Sequence, residues 1–343
     1  MEMTSKELVL RTLEFRNTDG RAPHDLWTLP WVYDHYPKET QEIVDSFVWD
    51  FDHPNAPLHE ASTVEKGDPC APGEYTDPWG CVFHNVAKGI IGEVKNPIVS
   101  PDDEEWDDQS RIVIPEYQLS FDIDEVNRSC AEKKDKFIFA NCCPRPFEQL
   151  QFIRGTEQLY MDLMYRPTKM FEFIEKMHDF YCRQLEKWAQ TDVDALQMMD
   201  DWGTQKSLLI NPKTWDEIFK PMYRDYIDIA HKHGKKMFMH SDGYTMEIIP
   251  RLIDLGLDAF NTQIFCMGPE NLTQFKGHIT FWGEICRQQI LPYGTKEEVA
   301  DAVRRVYDNL WDNGGCIAQC EFGPGGNPEN VMTVYRTWDS LFA

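Results

Sequence analysis

The stretch from Lys236 to Gly243, KMFMHSDG, ends an apolar run in groups that could do chemistry. It carries an imidazole at His240, a hydroxyl at Ser241 and a carboxylate at Asp242, and a helical pattern, YTMEIIPRLIDLG, begins directly after Gly243. The pattern predicts a strand that delivers polar side chains at its carboxyl end. In α/β proteins the loops that follow such strand ends hold ligands.

Other predicted strands also end in polar residues, which are Asp200, Asp201, Gln263, Glu284, Gln319, Cys320 and Glu321. An imidazole, a thiolate and a carboxylate that leave a fourth position open form a donor set used by catalytic zinc. We therefore expect zinc to be bound by His240, Cys320 and a carboxylate from Glu284 or Asp242.

Each of these ligands also has a structural explanation. A histidine at a strand end is often simply hydrogen-bonded, and a buried cysteine often serves as a small apolar side chain. Asp242 could instead cap the amino terminus of the helix that follows it. The placement of His240 and Cys320 at the ends of two strands is what favours a metal.

The elements that must position these groups alternate along the second half of the chain. Strand patterns cover residues 136–143, 195–201, 235–240, 258–263, 278–284 and 315–321, with helical patterns between them. Six strand-helix units predict a parallel sheet, and two more from the first third would close a (β/α)8 TIM barrel. An open doubly wound sheet is the alternative, but no glycine-rich phosphate motif follows a strand.

The first third, residues 1–135, is an irregular amino-terminal elaboration of what we predict to be one domain, residues 1–343. Residues 4–16 predict a helix, 44–52 a helix running into a short strand, and 74–100 a β-hairpin excursion. Residues 22–37 crowd aromatic side chains around prolines, which favours a loop that either lines an apolar pocket or packs on the core. The predicted substrate-binding aromatics are Trp27, Trp31, Tyr33 and Trp202.

Composition narrows the function classes. A formal net charge of −24 over 343 residues disfavours binding to nucleic acid or to an anionic membrane surface. The start of the chain lacks the pattern of a signal peptide and no apolar run reaches membrane-spanning length, so a cytoplasmic enzyme acting on a small molecule is expected. In that compartment most of the ten cysteines would be thiols.

Several segments resemble the uroporphyrinogen decarboxylase superfamily in order and spacing. They are DDWGTQ (200–205), PKTWDEIFKP (212–221), HSDG (240–243) with IIPRLIDLGLDAFNTQ (248–263), WGEICRQQILPYGTKEEV (282–299) and GGCIAQCEFGPGGNPENV (314–331). The resemblance covers roughly residues 136–343 and implies the (β/α)8 barrel.

The cobalamin-dependent methyltransferase branch of that superfamily binds zinc at a His-x-Cys pair and a distant Cys. By resemblance, the histidine is His240, the distant cysteine is Cys320, and Asp242 occupies the place of the middle cysteine. An oxygen ligand makes zinc a stronger Lewis acid than two thiolates would, which suits an ether oxygen. The expected activity is O-demethylation of a methoxylated small molecule, for which an aromatic compound is predicted, with the methyl group passing to the cobalamin of a separate corrinoid protein.

In that reaction Asp201, Gln205, Gln263 and Gln319 are the predicted catalytic residues, which would orient the substrate or donate a hydrogen bond to the developing oxyanion. A metal-free decarboxylase of a porphyrin-like or small carboxylic acid is the alternative. It is disfavoured because residues 22–37, where that branch carries substrate-binding arginines, contain neither Arg nor Lys. A barrel that binds a small aromatic or methylated ligand without catalysis is a third possibility.

Overall fold

A computed structural model describes residues 3–343, and a ring of parallel strands forms its centre. In chain order the strands are β1 (His24–Thr28), β2 (Phe51–Asp52), β3 (Gly73–Thr76), β4 (Val82–Asn85), β5 (Glu93–Val94), β6 (Phe137–Ile138), β7 (Ala195–Met199), β8 (Lys236–Ser241), β9 (Ala259–Thr262), β10 (Thr280–Trp282) and β11 (Cys316–Phe322). All except β3 to β5 belong to the ring.

Backbone hydrogen bonds close the ring. Strands β1, β11, β10, β9, β8 and β7 pair in that order, and β2 pairs with β6. The amide of Asp50 donates to the carbonyl of His24 at 3.1 Å, which joins β2 to β1. The amide of Ala140 donates to the carbonyl of Ala195 at 2.9 Å, which joins β6 to β7. The predicted (β/α)8 barrel is confirmed, with β1 and β2 as its two strands from the first third.

Helices surround the ring. They are α1 (Ser5–Leu13), α2 (Pro30–His35), α3 (Pro37–Ser46), α4 (Ile123–Glu132), α5 (Pro146–Arg154), α6 (Thr156–Tyr165), α7 (Thr168–Ala189), α8 (Pro212–Lys232), α9 (Ile249–Leu255), α10 (Ile264–Met267), α11 (Pro269–Leu272), α12 (Ile290–Tyr293), α13 (Lys296–Leu310) and α14 (Pro328–Ser340). Two 3₁₀ helices cover Glu116–Leu119 and Thr273–Phe275. Sequence sets several of the helix starts: Asn211 and Asn327 cap α8 and α14 just before a proline, and Thr295 opens α13 with a capping box.

Alternate residues of each barrel strand point to opposite sides. The inward side chains form an apolar cluster that includes Phe238, Trp282 and Ile317. Val9 and Leu13 of α1 belong to the same cluster, and α1 is hydrogen-bonded to the segments that lead into β6 and β11. Helix α1 therefore fills the amino-terminal end of the barrel. The outward side chains join a larger core beneath the helices.

The first third differs from the prediction at residues 22–37. In place of a loop, β1 pairs with β11 over five residues, and α2 begins at Pro30. The crowded aromatics and prolines concealed a strand whose inward positions are Asp25 and Trp27. The predicted hairpin over residues 74–100 is a three-stranded antiparallel sheet, in the order β3-β4-β5.

Within residues 3–343, every helix is too short or too polar to pass through a lipid bilayer.

Candidate metal centre at the barrel mouth

Three predicted site residues meet at the carboxyl ends of β7 and β8. His240 points into the barrel because it lies two residues beyond the inward Phe238, and Asp242 continues the same face. Asp201 lies two residues beyond Met199, the last residue of β7. The amide of Asp242 donates to Asp201 Oδ1 at 2.9 Å, which holds the two loops together.

The donor atoms of these residues converge on one point. His240 Nε2 lies 3.6 Å from Asp201 Oδ1 and 3.6 Å from Asp242 Oδ1. All three ligand atoms lie within 4.8 Å of one another. These separations exceed the length of a good hydrogen bond. Two ligands of a tetrahedral zinc ion, each at about 2.1 Å, lie about 3.4 Å apart, so the spacing suits a shared cation.

A neighbouring side chain, that of Asn261, sets which ring nitrogen of His240 carries the proton. Its Nδ1 lies 2.6 Å from Asn261 Oδ1, and Asn261 Nδ2 donates to the carbonyl of Trp282 at 2.5 Å. Because the amide nitrogen of Asn261 is already engaged, its oxygen accepts the proton of Nδ1. Nε2 is then left with a lone pair directed at the two aspartates, as a metal-binding histidine requires.

The carboxylate of Asp242 is only half satisfied. Its Oδ2 is paired with the guanidinium of Arg287, whereas Oδ1 is buried and has no hydrogen-bond partner among the described residues. A buried carboxylate oxygen without a partner is costly unless a cation compensates it. The residues present therefore fit a divalent metal ion bound by Asp201, His240 and Asp242.

Arg287 is a site residue that the sequence analysis missed. Besides Asp242, its guanidinium contacts Glu321 at 2.8 Å and Glu284 at 3.6 Å. It follows β10 in an irregular segment, where no periodicity indicates its direction. One cation thus serves three carboxylates, and the mouth keeps an excess of negative charge.

Burial acts on the carboxyl groups at the mouth more strongly than their neighbours' charges do. Burial raises the pKa of Glu284 to about 8, against the lowering effect of Arg287. Burial also raises the pKa of Asp201, which His240 opposes. Glu284 was predicted as a metal ligand, but the structure pairs it with Arg287, outside the group of three donor atoms.

Cys320 does not join this group, contrary to the predicted ligand set. Its neighbours Ile317 and Gln319 mark the inward face of β11, so Cys320 points outward. The thiol is fully buried and lies 3.6 Å from the hydroxyl of Tyr335 in α14. Burial raises its pKa to about 12, so it remains a neutral thiol. The structural explanation of Cys320 is the one that the geometry supports.

The alternative role of Asp242 as a helix cap is also absent, since α9 begins only at Ile249.

The four predicted substrate-binding aromatics do not share one location, and only Trp27 contacts the metal-binding residues. Trp27 lies at the site, with its ring centroid 5.3 Å from that of His240. Tyr33 is 54% exposed near the end of β1, where its hydroxyl lies 3.0 Å from Thr28 Oγ1. Trp31 stacks on His35 beside the outer core. Trp202 is fully buried against Phe147 and outside the mouth, which corrects its assignment.

Trp27 and Trp282 share a carboxylate that the sequence analysis did not select. Their Nε1 atoms donate to Asp25 Oδ2 at 3.0 Å and 2.8 Å. Burial raises the pKa of Asp25 to about 6, although both hydrogen bonds lower it. Asn261 could have been found by extending the inward alternation of the predicted strand β9, whereas Asp25 lies on β1, which the sequence pattern did not reveal.

The predicted glutamines lie around the same mouth. Gln205 Nε2 donates to Gln263 Oε1 at 3.3 Å, and both line a cavity of about 190 Å³ together with Glu284 and Arg287. Gln319 is 1% exposed, and neither atom of its amide has a partner within residues 3–343. Gln319 therefore differs from the other two: its amide is unpaired but buried, and it does not line the cavity.

Comparison with known proteins identifies the family. Residues 78–341 match the model of the uroporphyrinogen decarboxylase (URO-D) family. The chain belongs to the uroporphyrinogen decarboxylase family. The family resemblance predicted from the motifs of the second half is confirmed, and the matched region contains β7 to β11 with all three donor residues.

Solved structures add a likeness of fold. A methyltransferase from Methanosarcina mazei is similar with a TM-score of 0.63 and 15% sequence identity, over 100% of this chain and 100% of that chain. A glycosylated endo-β-1,4-xylanase of glycoside hydrolase family 10 from Gloeophyllum trabeum gives a TM-score of 0.45 and 9% identity, over 97% and 99% of the two chains. No curated protein sequence matches the chain.

Proposed function

We propose that this family member is a zinc-dependent methyltransferase that takes a methyl group from a methoxylated aromatic substrate and passes it to the cobalt of a separate corrinoid protein. The supporting observation is the convergence of Asp201, His240 and Asp242, with one carboxylate oxygen lacking a partner, at the mouth of the barrel. The similarity to the methyltransferase from Methanosarcina mazei supports the fold on which this proposal depends.

Asp201, His240 and Asp242 would hold zinc, which supplies Lewis acidity to the ether oxygen. A docked corrinoid partner would supply the electron pair that accepts the methyl group, and the electron pair of the O–CH3 bond would remain on the substrate oxygen as a phenolate.

The chain's own residues prepare this step. Asn261 keeps the proton of His240 on Nδ1, so Nε2 remains a ligand without any proton loss. Arg287 partly neutralises Asp242 and Glu321. Trp27 offers a flat apolar surface beside His240 for the substrate ring, and Gln205 and Gln263, which line the 190 Å³ cavity, offer amides to an oxygen atom.

Charge disfavours the decarboxylase alternative. The mouth gathers the carboxylates of Asp201, Asp242 and Glu321, and Arg287 pairs with the last two. A substrate with many carboxylates would be repelled there, and Arg287 is already shared among three acids. A neutral ether meets no such repulsion.

The test combines metal content with methyl transfer. Protein purified without chelators should contain about one zinc per chain. Mixed with a reduced corrinoid protein and a panel of methoxyarenes, it should convert the cobalt(I) spectrum to that of methylated cobalt. His240→Ala should lose both properties, whereas His59→Ala, which removes a half-exposed histidine paired with Glu125, should keep them. Wild-type protein with zinc but no spectral change across the panel would refute the methyl transfer, and wild-type protein without zinc would refute the metal site.

A further inference from the structure

The guanidinium of Arg287 occupies one of the two carboxylate oxygens of a proposed metal ligand. Its Nη2 donates to Asp242 Oδ2. The other oxygen, Oδ1, lies 3.6 Å from His240 Nε2 and is buried without a hydrogen-bond partner in residues 3–343. Asp242 therefore presents a single oxygen to a cation that lies among the three donor atoms.

A second carboxylate holds Arg287 in this position. Its Nη1 lies 2.8 Å from Glu321 Oε2, and Glu321 belongs to strand β11 of the barrel. The side chain of Arg287 is only 22% exposed. Charge-assisted hydrogen bonds to a planar guanidinium fix its orientation as well as its position. The ion pair with Glu321 thus keeps Arg287 beside Asp242 Oδ2.

The number of oxygens that Asp242 offers decides the coordination number of the site. A carboxylate that binds through one oxygen fills one position around a metal, and a bidentate carboxylate fills two. Asp201 Oδ1, His240 Nε2 and Asp242 Oδ1 supply three donor atoms, which is the number that a four-coordinate catalytic zinc ion takes from a protein. Manganese(II) prefers six ligands, most of them oxygens, so the loss of one carboxylate oxygen disfavours it more.

We propose that Arg287 is a specificity-determining residue for the metal ion, because it withholds one oxygen of Asp242 and so favours four-coordinate zinc over six-coordinate manganese(II). The inference rests on the metal site of the proposed function and adds the residue that selects the ion. The positive charge of Arg287 also repels every divalent cation alike. The ratio of the zinc and manganese affinities therefore isolates the effect on coordination from the effect of charge.

Removal of the guanidinium tests this assignment. Metal-free full-length protein is titrated with zinc(II) against a chromophoric chelator, and with manganese(II) by the electron paramagnetic resonance of the free ion. Arg287→Met removes the charge and all donors but keeps an unbranched side chain, so both oxygens of Asp242 become available. Both affinities should rise, and the manganese affinity should rise about tenfold more than the zinc affinity.

Two variants serve as controls. Arg287→Lys keeps the charge and a donor for Asp242 Oδ2, so its affinity ratio should stay within about twofold of the wild-type ratio. Arg251→Met removes a partly buried arginine of α9 that pairs with Asp216 of α8 at 2.7 Å, and it should leave both affinities unchanged.

Cobalt(II) in place of zinc reports the coordination number directly, because its visible absorption is strong in four-coordinate sites and weak in six-coordinate sites. Wild-type protein and Arg287→Lys should show strong bands, and Arg287→Met should show bands that are several-fold weaker. If Arg287→Met does not fold, Arg287→Gln replaces it. A glutamine keeps one neutral donor, so its affinity ratio should lie between those of Arg287→Met and wild type.

An affinity ratio in Arg287→Met equal to that of wild type, or a ratio that changes as much in Arg287→Lys, would overturn the inference and leave the zinc site in place. Wild-type protein that binds neither ion would refute the metal site and the inference together. A changed ratio in Arg287→Met, combined with zinc binding but no methyl transfer by wild-type protein, would support the inference and refute only the methyl transfer.

Discussion

At His240, metal binding depends on which ring nitrogen carries the proton. The hydrogen bond between Nδ1 and Asn261 Oδ1, at 2.6 Å, directs the lone pair of Nε2 toward the two aspartates. Residue type and strand position selected His240 and Asp242 as ligands, whereas Asp201 was predicted as a catalytic residue and the structure places it among the donor atoms instead. The tautomer could not be predicted, because it is set by a residue on the adjacent strand β9.

Substitution of Asn261 tests this arrangement. Asn261→Leu keeps the approximate volume but removes the acceptor, so we expect zinc affinity to fall about 10- to 100-fold. Asn261→Asp retains an oxygen acceptor and should keep most of the affinity. Competition with a chromophoric chelator measures both variants. Equal affinity of the leucine and aspartate variants would show that the hydrogen bond does not act on the metal.

Cys320 provides the opposite case, in which residue type misled the prediction. Gln319 and Cys320 were both assigned to the site, yet adjacent residues of a strand face opposite sides. The apolar neighbours of β11 do not reveal which side is inward, because β11 is buried on both faces. The sequence pattern of such a strand therefore leaves the direction of each side chain undecided.

We expect Cys320→Ala to retain zinc and to lower the free energy of unfolding by about 1 kcal/mol, through lost packing against Tyr335. Asp242→Ala should lose zinc. Metal analysis and urea unfolding of the two variants measure these effects. Loss of zinc in Cys320→Ala comparable with that in Asp242→Ala would return the thiol to the ligand set.

Glu284 gives a dependence of stability on pH. Its folded pKa, raised by burial to about 8, lies above its ordinary value of 4.5, so the folded state binds the proton more tightly than the unfolded state. In chelator-treated protein the free energy of unfolding should therefore fall by a few kcal/mol as pH rises from about 4.5 to 8. Arg287, Asp242 and Glu321 surround this carboxyl group and shape its titration.

Glu284→Gln should reduce that fall, and it should raise stability at pH 8 relative to wild type. Urea unfolding at pH 5.5 and pH 8 measures both effects. An unchanged pH dependence in Glu284→Gln would mean that other carboxyl groups, such as Glu148 and Asp25, account for it.

At the scale of elements, the parts that repeat were predictable and the irregular parts were not. The six strand patterns of the second half correspond to β6 to β11, because each apolar run is bounded by a helical pattern and turn residues. Strand β1 escaped because its inward positions alternate Asp25 with Trp27, and no apolar run marks it. The cavity beneath the β3-β4-β5 sheet depends on contacts between segments far apart in sequence, which no local pattern encodes.

The junction between β7 and α5 shows how elements position the site. Asp200 accepts hydrogen bonds from two amides of α5 and from the hydroxyl of Tyr223 in α8, and the next residue is Asp201. Asp200 points outward and its carboxylate holds α5 and α8 in place. Asp201 points inward and its carboxylate lies at the barrel mouth.

Asp200→Ala leaves these donors without a partner, so we expect it to lower the free energy of unfolding by about 3 kcal/mol or more. Asp179→Ala, at an exposed position of α7, should change it by less than about 0.5 kcal/mol. Urea unfolding compares the two variants. A loss of stability in Asp200→Ala no larger than that of the control would contradict the anchoring role.

At the scale of the whole molecule, composition alone indicated the character of the site. A net charge of −24 predicted that the protein would not attract polyanions, and the mouth has the same sign as the rest of the chain. The position of Arg145, which lines a cavity of about 670 Å³ beside α5, could not be inferred from this total. It depends on the fold that brings residues 56–92 over α5.

Helix α1 seals the floor of the barrel with Val9 and Leu13, so the metal centre faces the opposite opening. Under the proposed function, the methoxylated substrate and the corrinoid protein must then both approach through that opening. Surplus acceptor protein should obstruct the entry of fresh donor and the escape of spent product. Initial rates measured against rising corrinoid-protein concentration should therefore pass through a maximum and decline. A plain saturation curve would show that the substrate and the corrinoid protein do not compete for the same opening.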